Sequence, residues 1–280
     1  MNENKLEILQ QSCTRILFEF DRVCREQNLT YYIAYGTLLG AVRHNGFIPW
    51  DDDVDIWMPR KDMQFIIDNF DELFSKPYKI NHYQKPGFTT NSFVLRVCDP
   101  RIKIKRKIGG EDRLFDSFIS VFPICGLPKN SISQRLFVLK ANYLYIKLRF
   151  IRSANNGYGD VHRSFKEKIG VLINKILGIG KGKSVIEAVK AIDDMLSKYP
   201  YDNCNKIGIH SFLENPFIMD RAIFMKPKEL KFDNRNLFVP TKYDEVLKIC
   251  YGDYMKLPPE EKRHPMHTNE IVVDNVFLNS

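Results

Sequence analysis

The sequence predicts an α/β protein, a mixed sheet of short apolar strands with a helical insertion in the middle of the chain. Three observations carry this. Up to about residue 130, segments with apolar residues at steps of three and four alternate with short runs of β-branched and aromatic residues. From Ile132 to Leu196 helical spacing continues without a strand signal between, and from Lys206 short strands return.

The N-terminal segment opens with a helix: Leu6, Leu9, Cys13, Ile16, Leu17, Phe20 and Val23 fall on one face. Asn28 and Thr30 end it, and Tyr31 to Tyr35 reads as a buried strand. Gly36-Thr37 turns the chain into a short helix, Leu38 to Arg43. The next segment, Asp51 to Trp57, reads as a strand, and Pro59 breaks it. Lys61 to Phe74 has helical spacing, Phe93 to Val97 and Ile102 to Lys107 read as two strands around Asp99-Pro100, and Gly109-Gly110 as a hairpin loop. Phe118 to Phe122 is a further strand. Helices follow at Ile132 to Phe150, Phe165 to Leu177 and Ser184 to Leu196, with Ser184 as N-cap. The C-terminal part reads as strands at Lys206 to Ser211, Phe217 to Met225 and Leu230 to Val239. A Thr241-capped helix then runs to Tyr251 and stops at Gly252.

The 280 residues are 44% hydrophobic and 27% charged, an ordinary globular balance that argues against disorder. The net charge of +8 suits nucleic acid, an anionic membrane or a phosphorylated substrate. No nucleic-acid-binding motif is present, which favours the last two. Six cysteines lie scattered without metal spacing, which implies free, buried thiols in a reducing compartment. The N-terminus lacks the regions of a signal peptide and no apolar run is long enough to span a bilayer, so the expected location is cytoplasmic.

The chemistry concentrates in YIAYGTLLGAVRHNGFIPWDDDVDIW, Tyr32 to Trp57. In an extended strand Asp51, Asp53 and Asp55 project from one side, and three carboxylates so placed repel one another unless a divalent cation sits among them. Mg²⁺ takes one or two carboxylates plus substrate phosphates. Gly36 and Thr37, at a strand-to-helix turn, offer backbone amides and a hydroxyl to phosphate oxygens. The pattern points to metal-dependent phosphoryl or nucleotidyl transfer. Lys103 and Lys105 alternate onto one face, where they either steer phosphates or protect a solvated strand edge. The apolar residues from Ile132 to Phe150, spaced four and three among Arg and Lys, fit a core helix with a charged outer side or a basic helix lying on an anionic membrane. Other patterns fail. Gly182-Lys183-Ser184 ends like a phosphate-binding loop, but Leu177 stands where its first glycine belongs. Asp51-x-Asp53-x-Asp55 starts like a calcium loop, but Ile56 stands where that loop needs glycine.

The string GTLLGAVRHNGFIPWDDDVDI resembles the LicD family, which is related to fukutin-like proteins. RVCDPRIKI (Arg96 to Ile104), FPICGLP (Phe122 to Pro128) and Phe238 to His267 are similar to further family segments. The resemblance implies a nucleotidyltransferase-like fold and a phosphotransferase activity, most typically transfer of phosphocholine from CDP-choline onto a teichoic acid, a lipooligosaccharide or a capsular glycan, with release of CMP; the alternative is transfer of another alcohol phosphate, such as glycerol or ribitol phosphate, or of a sugar phosphate. It implies Mg²⁺ or Mn²⁺ held by Asp53 and Asp55 with Asp51 close by and Asp52 facing away. Gly36 and Thr37 would lie under the donor phosphates and Arg43 would be a phosphate ligand. The implied partners are a CDP-linked alcohol and a lipid-linked glycan or teichoic-acid acceptor, with no nucleic acid; the positive net charge suits an anionic donor and an acceptor presented at the inner membrane face, with peripheral membrane contact. The expected division is a core with the metal site over 1–130, a helical insertion facing acceptor or membrane over 131–200, and a C-terminal signature region over 201–280 that packs back on the core.

One departure matters. Where the family pattern reads IDIFPLDGLP, this chain has Ser120 in place of the first aspartate and Cys125 in place of the second. A missing carboxylate at 120 removes a metal ligand or proton acceptor, unless Asp116, Asp99 or Asp112 takes its place. Without one, the chain would bind donor or acceptor and turn over poorly.

Overall fold

The computed structural model describes residues 3–87, 93–108, 111–155, 182–209, 217–265 and 270–273. The Gly109-Gly110 loop, the helix expected over 165–177, Ser211 and His267 lie outside them.

Helix α1 (Glu3–Glu26) buries the face its spacing defines: Leu9, Cys13, Ile16, Leu17, Phe20 and Val23 are nearly inaccessible. It lies across two long strands, β4 (Leu95–Ile108) and β5 (Glu111–Gly126), where Ser12 Oγ meets Ser117 Oγ at 2.7 Å. These two strands form the antiparallel hairpin at the centre of a mixed eight-stranded sheet. A register shift between Asp99 and Lys103 lets one bent strand replace the two short ones expected there.

The site side of the sheet is built from β1 (Tyr32–Ile33), helix α2 (Tyr35–His44) and β2 (Asp55–Pro59). β1 pairs antiparallel with β2, and β2 pairs parallel with β5. Two expectations shift here. The helix starts at Tyr35, so Gly36 and Thr37 belong to its first turn. The strand starts only at Asp55, and Asp51 to Val54 are irregular. Helix α3 (Arg60–Leu73) then buries Met63, Ile66, Ile67 and Phe70 against β2 and β5. β3 (Lys79–Asn81) adds to β4.

Helix α4 (Ser131–Asn155) packs on α5 (Val185–Leu196), whose Ser184 Oγ accepts the Glu187 N–H as an N-cap. Strands β6 (Lys206–Ile209) and β7 (Phe217–Asp220) extend the sheet from β5. A separate hairpin, β8 (Lys228–Phe232) with β9 (Arg235–Val239), sits beside α2 and β1, its turn made by Asp233 at φ 54°. Helix α6 (Tyr243–Tyr251) follows. The expected cap does not form: Thr241 Oγ1 bonds both backbone groups of Lys226 instead. Strand β10 (Glu270–Val273) pairs with β4 on the far edge. All six cysteines are free and five are buried.

Candidate active site

The first residue of β2 is fixed from two sides. The Ala34 N–H donates to the Asp55 carbonyl at 2.9 Å, and the Asp55 N–H donates to Thr37 Oγ1, also at 2.9 Å. The α2 hydroxyl therefore sets where the Asp55 side chain enters the site, rather than standing free for a ligand. The amides of Gly36 and Thr37, in the first helical turn, have no intrahelical acceptor by position. Tyr35 reaches this turn with φ 43°, a left-handed conformation that costs a bulky residue about 1–3 kcal/mol. Its ring is held edge-on by Trp57 at 4.7 Å and Phe122 at 5.9 Å.

The aspartate loop is pinned from α1. Gln10 Nε2 donates to the carbonyls of Asp51 (2.8 Å) and Ile48 (3.3 Å), and the Asp51 N–H closes a turn onto Ile48 O at 2.9 Å. The Asp51 carboxylate then lies over Gly36: a β-carbon there would stand 2.5 Å from Asp51 Oδ2. Glycine is required for this approach.

These elements open onto a cleft of about 680 Å³, and Asp51, Asp53 and Asp55 all reach its wall. Asp52 is buried and does not line it. Yet one oxygen each from Asp51, Asp52 and Asp53 can be chosen within 4.8 Å of one another. Strand alternation begins only at Asp55, so Asp52 does not point cleanly away. Burial, and then the charges of Asp53 and Asp52, push the Asp51 carboxyl up to about 8. Asp55 is raised well above the usual carboxylate range by burial and then by Asp53 and Asp51, with Arg96 opposing. Carboxylates in this state favour either protons or a cation. Hard oxygen donors of this kind suit Mg²⁺ or Mn²⁺, so the residues present fit such an ion.

Arg43 also lines the cleft, its Nη1 donating to the Tyr254 carbonyl at 2.9 Å. Lys103 and Lys105 do not line it: Lys103 is bonded to Asp116 on the hairpin arm. Asp116, so bonded, does not line the cleft, and Asp99 is fully buried and held by Arg101 at 2.7 Å. The side chain of Asp112 lies outside the described residues. Ser120 stands directly across from Asp55 in the β2–β5 register and lines the cleft.

Sequence reasoning missed several lining residues. Arg96 pairs across from Ser120 on β4, with its guanidinium 4.0 Å over the Phe118 ring. An arginine inside the apolar run FVLRVC was the available signal. Asp253, Lys256, Lys262 and His264 come from the segment after α6, some 200 residues away in sequence; the resemblance covers that segment, but no local pattern places these side chains at the cleft. Trp50, Tyr251 and Tyr254 supply aromatic walls, and Arg263 lies 5.7 Å over Trp50.

At the site a mixed sheet brings a carboxylate cluster at a strand end against the N-terminal turn of a helix. Residues 28–97 match the family described as LicD/FKTN/FKRP, nucleotidyltransferase domain, so the resemblance read from the sequence holds. The chain is also similar along nearly its whole length to the lipopolysaccharide cholinephosphotransferase LicD of Haemophilus influenzae, with 28% identity over 281 residues, 96% of this chain and 99% of that protein. An uncharacterised Rickettsia prowazekii protein is 40% identical over 65 residues, 22% of this chain and 24% of its own length. A Rickettsia typhi protein is 39% identical over 74 residues, 25% of this chain and 23% of its own length.

Proposed function

We propose that this protein transfers phosphocholine from CDP-choline onto a hydroxyl of a cell-surface glycan, releasing CMP. The observation that carries the reading is the cleft that joins Asp51, Asp53 and Asp55 to the first turn of α2. The full-length similarity to a lipopolysaccharide cholinephosphotransferase supports the choice of group and acceptor class.

In this reading the amide of Gly36, where the first turn of α2 meets the cleft, and the guanidinium of Arg43 bind the donor phosphates, while Thr37, buried and off the cleft wall, holds Asp55 in place. Asp53 and Asp55 would hold Mg²⁺ or Mn²⁺, which would neutralise the diphosphate charge. Lys256 and Lys262 face the cleft from the C-terminal segment and add positive potential for an anionic donor. Arg96 lines the cleft and balances the charge of Asp55. The acceptor oxygen bonds to the choline-bearing phosphorus as its bond to CMP breaks, and Asp51 accepts the hydroxyl proton. Trp50, Tyr251 and Tyr254 favour choline over an uncharged alditol, because aromatic faces attract a quaternary ammonium.

The direct test is CMP release from CDP-choline with Mg²⁺ and glycan, with CDP-glycerol and CDP-ribitol as competing donors. Choline-dependent CMP that disappears in Asp53→Ala and Asp55→Ala carries the reading. CMP from the alditol donors alone replaces phosphocholine with another alcohol phosphate. A second reading rests on Ser120. With Asp116 and Asp99 engaged elsewhere, the chain would bind CDP-choline without turnover, and tight binding with no CMP under any acceptor would establish that.

A further inference from the structure

Helix α4 is apolar on two opposite faces. One face is buried: Phe137, Ala141, Tyr145, Leu148 and Ile151 pack inward, with Phe137 5.6 Å from the Tyr199 ring and Tyr145 5.8 Å from that of Phe93. The other consists of Ile132, Leu136, Leu139, Tyr143 and Ile146, which are 49–67% exposed. At 3.6 residues per turn these five fall within about 40° of a common line, a stripe about 21 Å long. The helix is already anchored by its first face, so the second is not needed for folding. An apolar strip of this length is more than scattered surface leucines.

Its flanks decide what covers it. Arg135 and Arg149 lie on one side of the stripe and Lys140 and Lys147 on the other, and the 25-residue helix contains no Asp or Glu. A protein partner's apolar groove does not call for cations along both borders. A bilayer does: the apolar residues enter the acyl boundary while lysine and arginine extend to the headgroups. The geometry points to α4 as a membrane-docking helix, with the Ile132–Ile146 stripe seated in an anionic phospholipid surface. The inference stands apart from the transfer chemistry, since it uses no residue of the cleft.

The test is co-sedimentation of the full chain, without donor or acceptor, with vesicles of phosphatidylcholine alone or mixed equally with phosphatidylglycerol. Wild type should bind the mixed vesicles far better than the neutral ones, and added salt should weaken binding. Leu136→Asp with Leu139→Asp should lower partitioning about tenfold or more for each leucine withdrawn. Arg135→Glu with Lys140→Glu should lower it at least about fivefold for each charge reversed. All four positions are exposed, so both variants should keep the wild-type circular dichroism and melting curve. The inference is overturned if wild type ignores anionic vesicles, binds neutral ones equally, or binds as well after the substitutions. A dimer that the leucine variant dissociates, with no vesicle binding, would assign the stripe to a second copy and overturn it too. Since CMP release is measured separately, a failure here leaves the transfer reading standing.

Discussion

Gly36→Ala tests the site geometry at a single atom. The added β-carbon would stand 2.5 Å from Asp51 Oδ2, whereas ordinary contact begins at 3.4 Å. The atom in the way is the end of a side chain, so relief comes from moving the Asp51 carboxylate by about 0.9 Å rather than from unfolding. The backbone tolerates the change: Gly36 lies in a helix, where alanine gains roughly 0.5–1 kcal/mol over glycine. Melting temperature should therefore move by no more than a few degrees. Activity should not be spared, because a displacement near 1 Å in a reacting group can cost about 10²-fold. Measured as kcat/KM for CMP release beside a melting curve, Gly36→Ala should lose about two orders of magnitude with its fold intact. Activity within threefold of wild type, or a variant that fails to fold, would refute the placement of Asp51 over the α2 turn.

Three further outcomes follow from the same structure. Asp55→Asn removes a buried carboxylate raised by its neighbours, so in EDTA the variant should melt higher than wild type while forming no CMP; a lower melting temperature would contradict the repulsion. Arg60 and Asp193 form a buried ion pair at 2.5 Å, joined by the Tyr83 hydroxyl at 2.6 Å, so Asp193→Ala strands a buried guanidinium and should cost about 3–5 kcal/mol in urea unfolding; a loss below about 1 kcal/mol would refute it. His82 Nε2 donates to the Phe93 carbonyl, Nδ1 accepts from the Gln84 N–H, and burial pushes the imidazole down to about 4. The unfolded chain takes up that proton near pH 6.5 and the folded chain does not, so this stability is complete above pH 6.5 and erodes as pH falls to 4. His82→Gln should flatten the urea-derived profile in that window by about 3 kcal/mol, and parallel profiles would contradict the argument.

The elements legible in the sequence are those whose burial is periodic. α1, α3 and α5 each bury one face against the sheet or a neighbouring helix, and their spacing shows it. β3 and β10 are three and four residues long and take their identity from β4, which no local pattern reveals. The aspartate segment was found, but its conformation was not: β1 pairs β2 only at Tyr32–Trp57 and Ile33–Ile56, so Asp51 to Val54 extend beyond that ladder and stay irregular. Irregularity is what allows Asp51 to fold back over Gly36 and brings Asp52 near its neighbours. The segment that carries Lys256 and Lys262 was legible as a family-like stretch, but its place at the cleft was not, because only the packing of α6 against α2 brings it there. The stripe on α4 was visible as a pattern, and only exposure could tell which of its two apolar faces looks outward.

Transfer of phosphocholine by this cleft is read on the acceptor itself, by mass spectrometry of the glycan after incubation with CDP-choline and Mg²⁺, with CMP quantified in the same sample. The glycan should gain the mass of one phosphocholine per acceptor, matched by CMP and absent with Asp53→Ala or Asp55→Ala. An unchanged glycan, or a mass gain that survives both substitutions, would contradict it.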